Sequence, residues 1–253
     1  MRKVSALLVV FALARLGHAE WNVTATKYEP ASAHGIEHCH IVLENNGEHA
    51  ALDLVLFSAK TARLRVIDNA GGAASLSDTM QREKCVAGVN GGYFDTESKP
   101  LGLRIIDGAG TSPLIRARLL TAVLCASPRG IEIMRAGEFS RERKYEAALQ
   151  CGPLLVERGR WVASLNGVRS ARRTFAATLR GGRAAIGIST DLTLAELSAV
   201  LTSRSLADDL PFWRAMNLDG GSSSAFWFQR SDGSVLSISE DKPVRDFIGL
   251  EPE

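Results

Sequence analysis

The chain has 253 residues, 45% hydrophobic and 23% charged, with 30 Lys and Arg against 28 Asp and Glu for a net charge of +2. That length suits one domain with a sizeable core, or two small ones. The charge balance, with no block of five or more like charges, excludes a polyanion-coating chain, and Arg169-Ser170-Ala171-Arg172-Arg173 is the nearest approach to one.

The first element is an export signal. Met1-Arg2-Lys3 is a basic start, Val4 to Ala14 is a short apolar run, and Gly17 and Ala19 are the small residues of a cleavage site. The apolar run is shorter than the roughly 20 residues of a spanning helix. Cleavage after Ala19 is expected, with residues 1–19 as signal peptide and 20–253 as one domain, periplasmic or secreted and without stable membrane insertion. Loss of the segment removes Arg2, Lys3 and Arg15 and no acid, so +2 becomes −1 and no nucleic-acid partner is expected.

Strands follow. Ile36 to Leu43 and Ala50 to Phe57 flank an Asn45-Asn46-Gly47 hairpin signal. Leu64 to Ile67 is a short strand, and Ser75 to Glu83 reads as a capped helix. Further strands are expected at Leu101 to Ile106, Leu119 to Cys125, Ile131 to Met134 and Leu154 to Glu157. Thr174 to Leu179 and Arg183 to Ser189 flank a second hairpin signal, Arg180-Gly181-Gly182. The clearest helix is Leu194 to Leu201. Thr193 and Glu196 form its capping box, and Leu194, Leu197 and Leu201 its core stripe. This is a strand-rich α+β single domain, expected to hold a mixed, largely antiparallel sheet with a few flanking helices. Cys39, Cys85, Cys125 and Cys151 include no Cys-x-x-Cys pair. They allow up to two disulfides or four buried thiols, and the pairing stays open.

Two glycine-rich turns carry the chemistry. Asn90-Gly91-Gly92-Tyr93-Phe94-Asp95 and Asn217-Leu218-Asp219-Gly220-Gly221-Ser222-Ser223-Ser224 each follow an apolar run. Paired glycines permit positive φ and let backbone N–H groups come close to a ligand. Asp95 and Asp219 across one cleft would suit glycosyl transfer, roughly 5 Å apart for retention and roughly 6.5–9.5 Å for inversion. Either acid could instead be an Asx-turn acceptor. Arg173 offers a planar fork for phosphate or carboxylate oxygens. Ser222 and Ser223 are read as donors to an oxyanion or sugar, since no Gly-x-Ser-x-Gly elbow is present. His38 and His40 share a strand face, but no nearby acid completes a metal-ligand set, and they are expected to face solvent. No cofactor is required by the pattern. A divalent cation on Asp219 stays open, although no other acids lie at ligand spacing around it.

Asn90-Gly91-Gly92-Tyr93-Phe94, Gly152-Pro153-Leu154-Leu155-Val156, Arg173-Thr174 and Asn217-Leu218-Asp219-Gly220-Gly221-Ser222-Ser223 occur in this order. In that order they resemble the phosphodiester glycosidase family, over about residues 50 to 250. The resemblance implies that Asn90, Gly91, Gly92, Arg173, Asp219, Gly220 and Gly221 surround one pocket, with Tyr93, Asn217, Ser222 and Ser223 beside it. It implies hydrolysis of a sugar-1-phosphodiester at the glycosidic C–O bond, with a sugar-phosphate or glycan as partner. Ser222 stands where the family often has a third glycine, and Asp95 is not a fixed family position. A non-catalytic envelope glycan-binding module and a phosphodiesterase cutting P–O are the competing readings.

Overall fold

The computed structural model describes residues 21–253, so the expected signal peptide lies outside the described residues. In chain order the first strands are β1 (Asn22–Pro30), β2 (Glu37–Asn45), β3 (Glu48–Ser58) and β4 (Ala62–Asp68). Helix α1 (Leu76–Arg82) leads to β5 (Ala87–Asn90), β6 (Arg104–Ile106), β7 (Ala109–Ser112), β8 (Ala122–Ser127) and β9 (Gly130–Arg135). Then come β10 (Ala147–Cys151), β11 (Leu154–Glu157), β12 (Arg160–Trp161), β13 (Ala171–Leu179) and β14 (Arg183–Leu192). Helices α2 (Leu194–Leu201) and α3 (Arg204–Ala207) precede β15 (Phe212–Asn217), β16 (Phe226–Gln229), β17 (Val235–Ile238) and β18 (Asp246–Pro252).

The strands form three sheets. The largest runs β1-β2-β3-β14-β13-β15-β11-β12; the others run β7-β6-β10-β8-β9 and β17-β16-β5-β18-β4. The α+β class is as expected, but the strands divide among three sheets, and each pair of strands among the described residues is antiparallel. Local chemistry explains the best-read parts. Asn46 (φ 50°) and Gly47 (φ 85°) make the primed turn that suits the right-handed strand twist between β2 and β3. Gly181 and Gly182, both left-handed, do the same between β13 and β14. Thr193 Oγ1 accepts from the Glu196 N–H (3.1 Å), and the Glu196 carboxylate accepts from the Thr193 N–H (2.8 Å).

The central strands β13 and β14 are buried on both faces. One face packs against the β5 sheet through Ala176, Ile186, Phe226 and Ile248. The other packs under α2 through Phe175, Ala177, Leu197 and Leu201. β1, β10, β16, β17 and β18 are absent from the sequence reading. β1 is polar and mostly exposed, held at a sheet edge by pairing with β2. β10 is short and buried throughout, so it lacks alternation. The expected strand from Leu101 shrinks to β6, because the Leu101 N–H is spent on the Tyr93 carbonyl.

The four cysteines are buried and unpaired. Cys39, Cys85, Cys125 and Cys151 sit in four different apolar clusters. Burial pushes Cys39 up to about 11 and Cys85 and Cys125 to about 12, so all three remain thiols at neutral pH. The expectation for His38 and His40 is corrected. His38 is buried against Phe226 and Phe228, with its ring nitrogens at Asp53 (2.8 Å) and Glu29 (3.4 Å). His40 meets the same Asp53 oxygen at 2.8 Å. Strand pairing supplies the acid that sequence spacing does not show.

The cap on α2 makes a direct prediction. Thr193→Ala should cost about 1 kcal/mol, read as a lower urea midpoint at an unchanged slope.

Candidate active site

The two glycine turns are hydrogen-bonded to each other. Asn90 ends β5 fully buried, and its Nδ2 donates to the Asp219 carbonyl at 2.7 Å. Its Oδ1 accepts from Thr174 Oγ1 (2.6 Å) and from the Ala225 N–H (3.0 Å). In return the Asp219 N–H donates to the Gly91 carbonyl at 3.1 Å. The Asp219 main chain is therefore held from both sides, while its side chain faces a cavity of about 450 Å³.

Gly91 and Gly92 are not left-handed. Their glycine character answers to Asp246, at the start of β18. The Gly91 N–H donates to the Asp246 carbonyl (2.9 Å) and the Gly92 N–H to its Oδ1 (2.8 Å). A Cβ on Gly91 would lie 2.0 Å from that Oδ1. The buried Asp246 carboxylate also accepts from Arg104 Nη1 at 3.1 Å. Burial raises the Asp246 carboxyl, against the opposing pull of the Gly92 N–H and Arg104. These two N–H groups are spent on the protein rather than on a ligand.

Asp219, Arg173, Tyr93, Asn217, Gly220, Gly221 and Ser222 line the cavity, as do Arg169 and Lys242. Tyr93 Oη donates to the Gly152 carbonyl (2.7 Å) and accepts from Asn217 Nδ2 (3.0 Å), which fixes one wall. Gly221 takes φ +64°, where a side chain would be strained. Asp219 Oδ1 accepts from the Gly220 N–H at 3.0 Å. Burial pushes the Asp219 carboxyl above the usual carboxylate range, against the pull of the Ser223 hydroxyl, the Gly220 N–H and the Lys242 charge. Asp219 is the one acid in the lining.

Among the described residues three arginines are nine-tenths or more buried: Arg104, Arg173 and Arg214. Arg104 pairs with Asp68 and Asp246, and Arg214 with Glu138 and Glu157. Arg173 has no carboxylate partner among the described residues. Its Nε donates to the Leu192 carbonyl (2.8 Å) and its Nη2 to the Arg169 carbonyl. Its Nη1 lies beside Gly220, 3.8 Å from where a Cβ would stand. Burial lowers its pKa, the sign of an uncompensated cation. With Arg169 and Lys242 the cleft presents three cations to one carboxylate, the electrostatics of an anion site.

Five of the sequence-predicted residues stand outside this lining. Asn90, Gly91 and Gly92 support it from behind, and Ser223 is buried beneath it. Asp95 Oδ1 accepts from the Glu97 and Lys99 N–H groups, at 2.9 and 2.8 Å. It is the Asx-turn acceptor of its own loop, and the structure does not bring it to the cleft beside Asp219. Arg169 carried a signal, the short basic stretch ending at Arg173. Lys242 carried none, since the turn before β18 is brought to the cleft only by folding. Among the described residues no group of three His, Cys, Asp or Glu side chains has a metal-holding arrangement.

A family model described as phosphodiester glycosidase matches residues 83–251. Comparison with curated proteins returns no match. Among solved structures, the chain is similar to the catalytic domain of zebrafish N-acetylglucosamine-1-phosphodiester alpha-N-acetylglucosaminidase, auto-inhibited by its pro-peptide. The TM-score is 0.65 at 16% identity, covering 90% of this chain and 88% of that one. A hypothetical protein from Synechocystis matches with TM-score 0.60 and 16% identity, over 85% of this chain and 62% of that one. A Burkholderia pseudomallei protein described as exported matches with TM-score 0.55 and 13% identity, over 81% and 75%. At these identities the likeness is one of fold.

Asp246 is the support that tests this construction. Asp246→Ala strips the Gly92 N–H of its acceptor and Arg104 of one of its two carboxylates, and should cost about 1–3 kcal/mol in urea unfolding.

Proposed function

As the chain belongs to the phosphodiester glycosidase family, we propose that it hydrolyses the glycosidic C–O bond of a sugar-1-phosphodiester. The observation that carries this reading is one carboxylate sharing a cleft with a buried guanidinium that no acid contacts. An ordinary glycosidase needs a second carboxyl group to protonate the departing oxygen. A phosphomonoester leaves without that help, provided its charge is met. Arg173, with Arg169 and Lys242, meets the phosphate. Asp219 stands toward the anomeric carbon and takes the proton of the attacking water. The water oxygen bonds to that carbon, the carbon–oxygen bond to phosphorus breaks, and the phosphomonoester departs with the electron pair.

The N-terminal reading supports an exported enzyme, periplasmic or secreted, acting on cell-envelope or exopolysaccharide material. The alternatives of a glycan-binding module and a P–O phosphodiesterase become outcomes of the test. Turnover is measured on a UDP-N-acetylglucosamine-type or aryl sugar-1-phosphodiester in ¹⁸O-water. Label is expected in the sugar. Label in phosphate indicates P–O cleavage, and binding of N-acetylglucosamine-1-phosphate with no turnover across a panel of diesters indicates a module. Asp219→Asn should lower kcat/KM by roughly 10²–10⁴, and Arg173→Ala by roughly 10²–10³. Asp219→Asn should fold normally, because the neutral amide avoids the desolvation that raises the acid and can keep the Gly220 bond. Full activity in Asp219→Asn sinks the assignment.

The pH profile follows from the same carboxylate. Asp219 works ionised, so kcat/KM should fall on acidification, with its acid limb above the ordinary Asp value of about 3.9. Lys242 favours the ionised form, so Lys242→Met should move that limb further up in pH. A limb that stays put in Lys242→Met assigns it to another group.

A further inference from the structure

The rim of the cleft differs from its floor. Seven large hydrophobic side chains are exposed among the described residues, and four stand on three loops around the cleft mouth: Leu101 (39%), Ile115 (37%), Leu119 (60%) and Val168 (91%). Leu119 lines the cavity itself. Leu101 is bonded through its N–H to the carbonyl of Tyr93, a lining residue. Val168 lies between Asn166 and Arg169, both lining residues, with its N–H on Asn166 Oδ1 at 3.0 Å.

Cations share these loops. Arg116 and Arg118 are exposed beside Ile115 and Leu119, and Arg169 follows Val168. Lys242 completes the set at the cleft. None of the four has a carboxylate partner among the described residues. Asp95 is engaged in its own turn, Glu97 by Lys99, and Asp241 by Arg172, while Asp191 acts on Arg173 from beyond ion-pair distance. Asp219 lies on the floor.

We infer that the cleft mouth rests on an anionic lipid surface, and that the sugar-1-phosphodiester it takes is borne by a lipid in that surface. The inference rests on the hydrolase reading above for its substrate half. Basic side chains are drawn to anionic headgroups, and aliphatic side chains between them gain by entering the acyl boundary. A soluble phosphate-rich polymer would be met by the cations alone and would leave Val168 in water. The cavity, about 450 Å³, opens among these side chains, so a sugar phosphate in the headgroup layer faces Asp219 and Arg173. Hydrolysis frees the sugar and leaves the phosphomonoester on the lipid.

The test separates docking from chemistry. Mature protein, residues 20–253, is sedimented with phosphatidylcholine vesicles, with and without phosphatidylglycerol, while turnover of a soluble aryl sugar-1-phosphodiester is followed in parallel. Binding is expected only with phosphatidylglycerol. The double variant Arg116→Ser with Arg118→Ser should weaken it about 25-fold, from about fivefold per cation. Val168→Ser should weaken it roughly tenfold, at low and high salt alike. Both variants should keep their soluble-substrate kcat/KM. Soluble turnover without vesicle binding, or binding indifferent to phosphatidylglycerol, overturns the docking and leaves the hydrolase reading standing. Binding without any turnover overturns the substrate half together with that reading. Retention on poly(glycerol phosphate) that Val168→Ser does not weaken, in place of vesicles, overturns the lipid surface in favour of a polymer.

Discussion

The cleft depends on a seam of hydrogen bonds where the β5 sheet meets the large sheet. Asn90 is its centre. Its single amide bonds the Asp219 carbonyl, the Thr174 hydroxyl and the Ala225 N–H. A buried amide that spends its capacity this way cannot be replaced by an apolar residue without orphaning three groups. The seam ties together two glycine turns that lie far apart in the chain. Each supplies the other's missing partners, and the acid is left facing outward from the join.

Charge is organised by the same logic. Where a buried guanidinium serves the fold, as at Arg104 and Arg214, a carboxylate sits against it. Where one serves the cleft, as at Arg173, only carbonyl oxygens hold it, and its charge stays unanswered. A desolvated cation without a counter-ion is costly. On the proposed reading, an anionic ligand would offset that cost. The buried arginines thus divide into two that face carboxylates and one held by carbonyl oxygens alone.

Much of this was legible in the chain. The Asn217 to Ser222 turn, Arg173 and Tyr93 lie in the one cleft that the resemblance implied, and the α2 cap and both hairpins form as read because neighbours in sequence specify them. The errors share one cause. Asp95 looked equivalent to Asp219, yet its carboxylate is satisfied within five residues, by Glu97 and Lys99. Asp246 drew no reading from the sequence, yet it carries the first glycine turn from 154 residues away. His38 looked solvent-facing until β3 brought Asp53 beside it. Local spacing reports what a residue can do for its own loop. It is silent on which acid tertiary pairing will bring to a given backbone.

The position of β18 has a consequence for assembly. It is the last of the described strands, yet it lies inside its sheet, between β5 and β4, and it begins with Asp246. Contacts of such sequence separation close long loops, an entropic cost that local contacts do not carry. The first glycine turn has its anchor only when residues 246–252 have joined, so the cleft is complete only when this long-range pairing is.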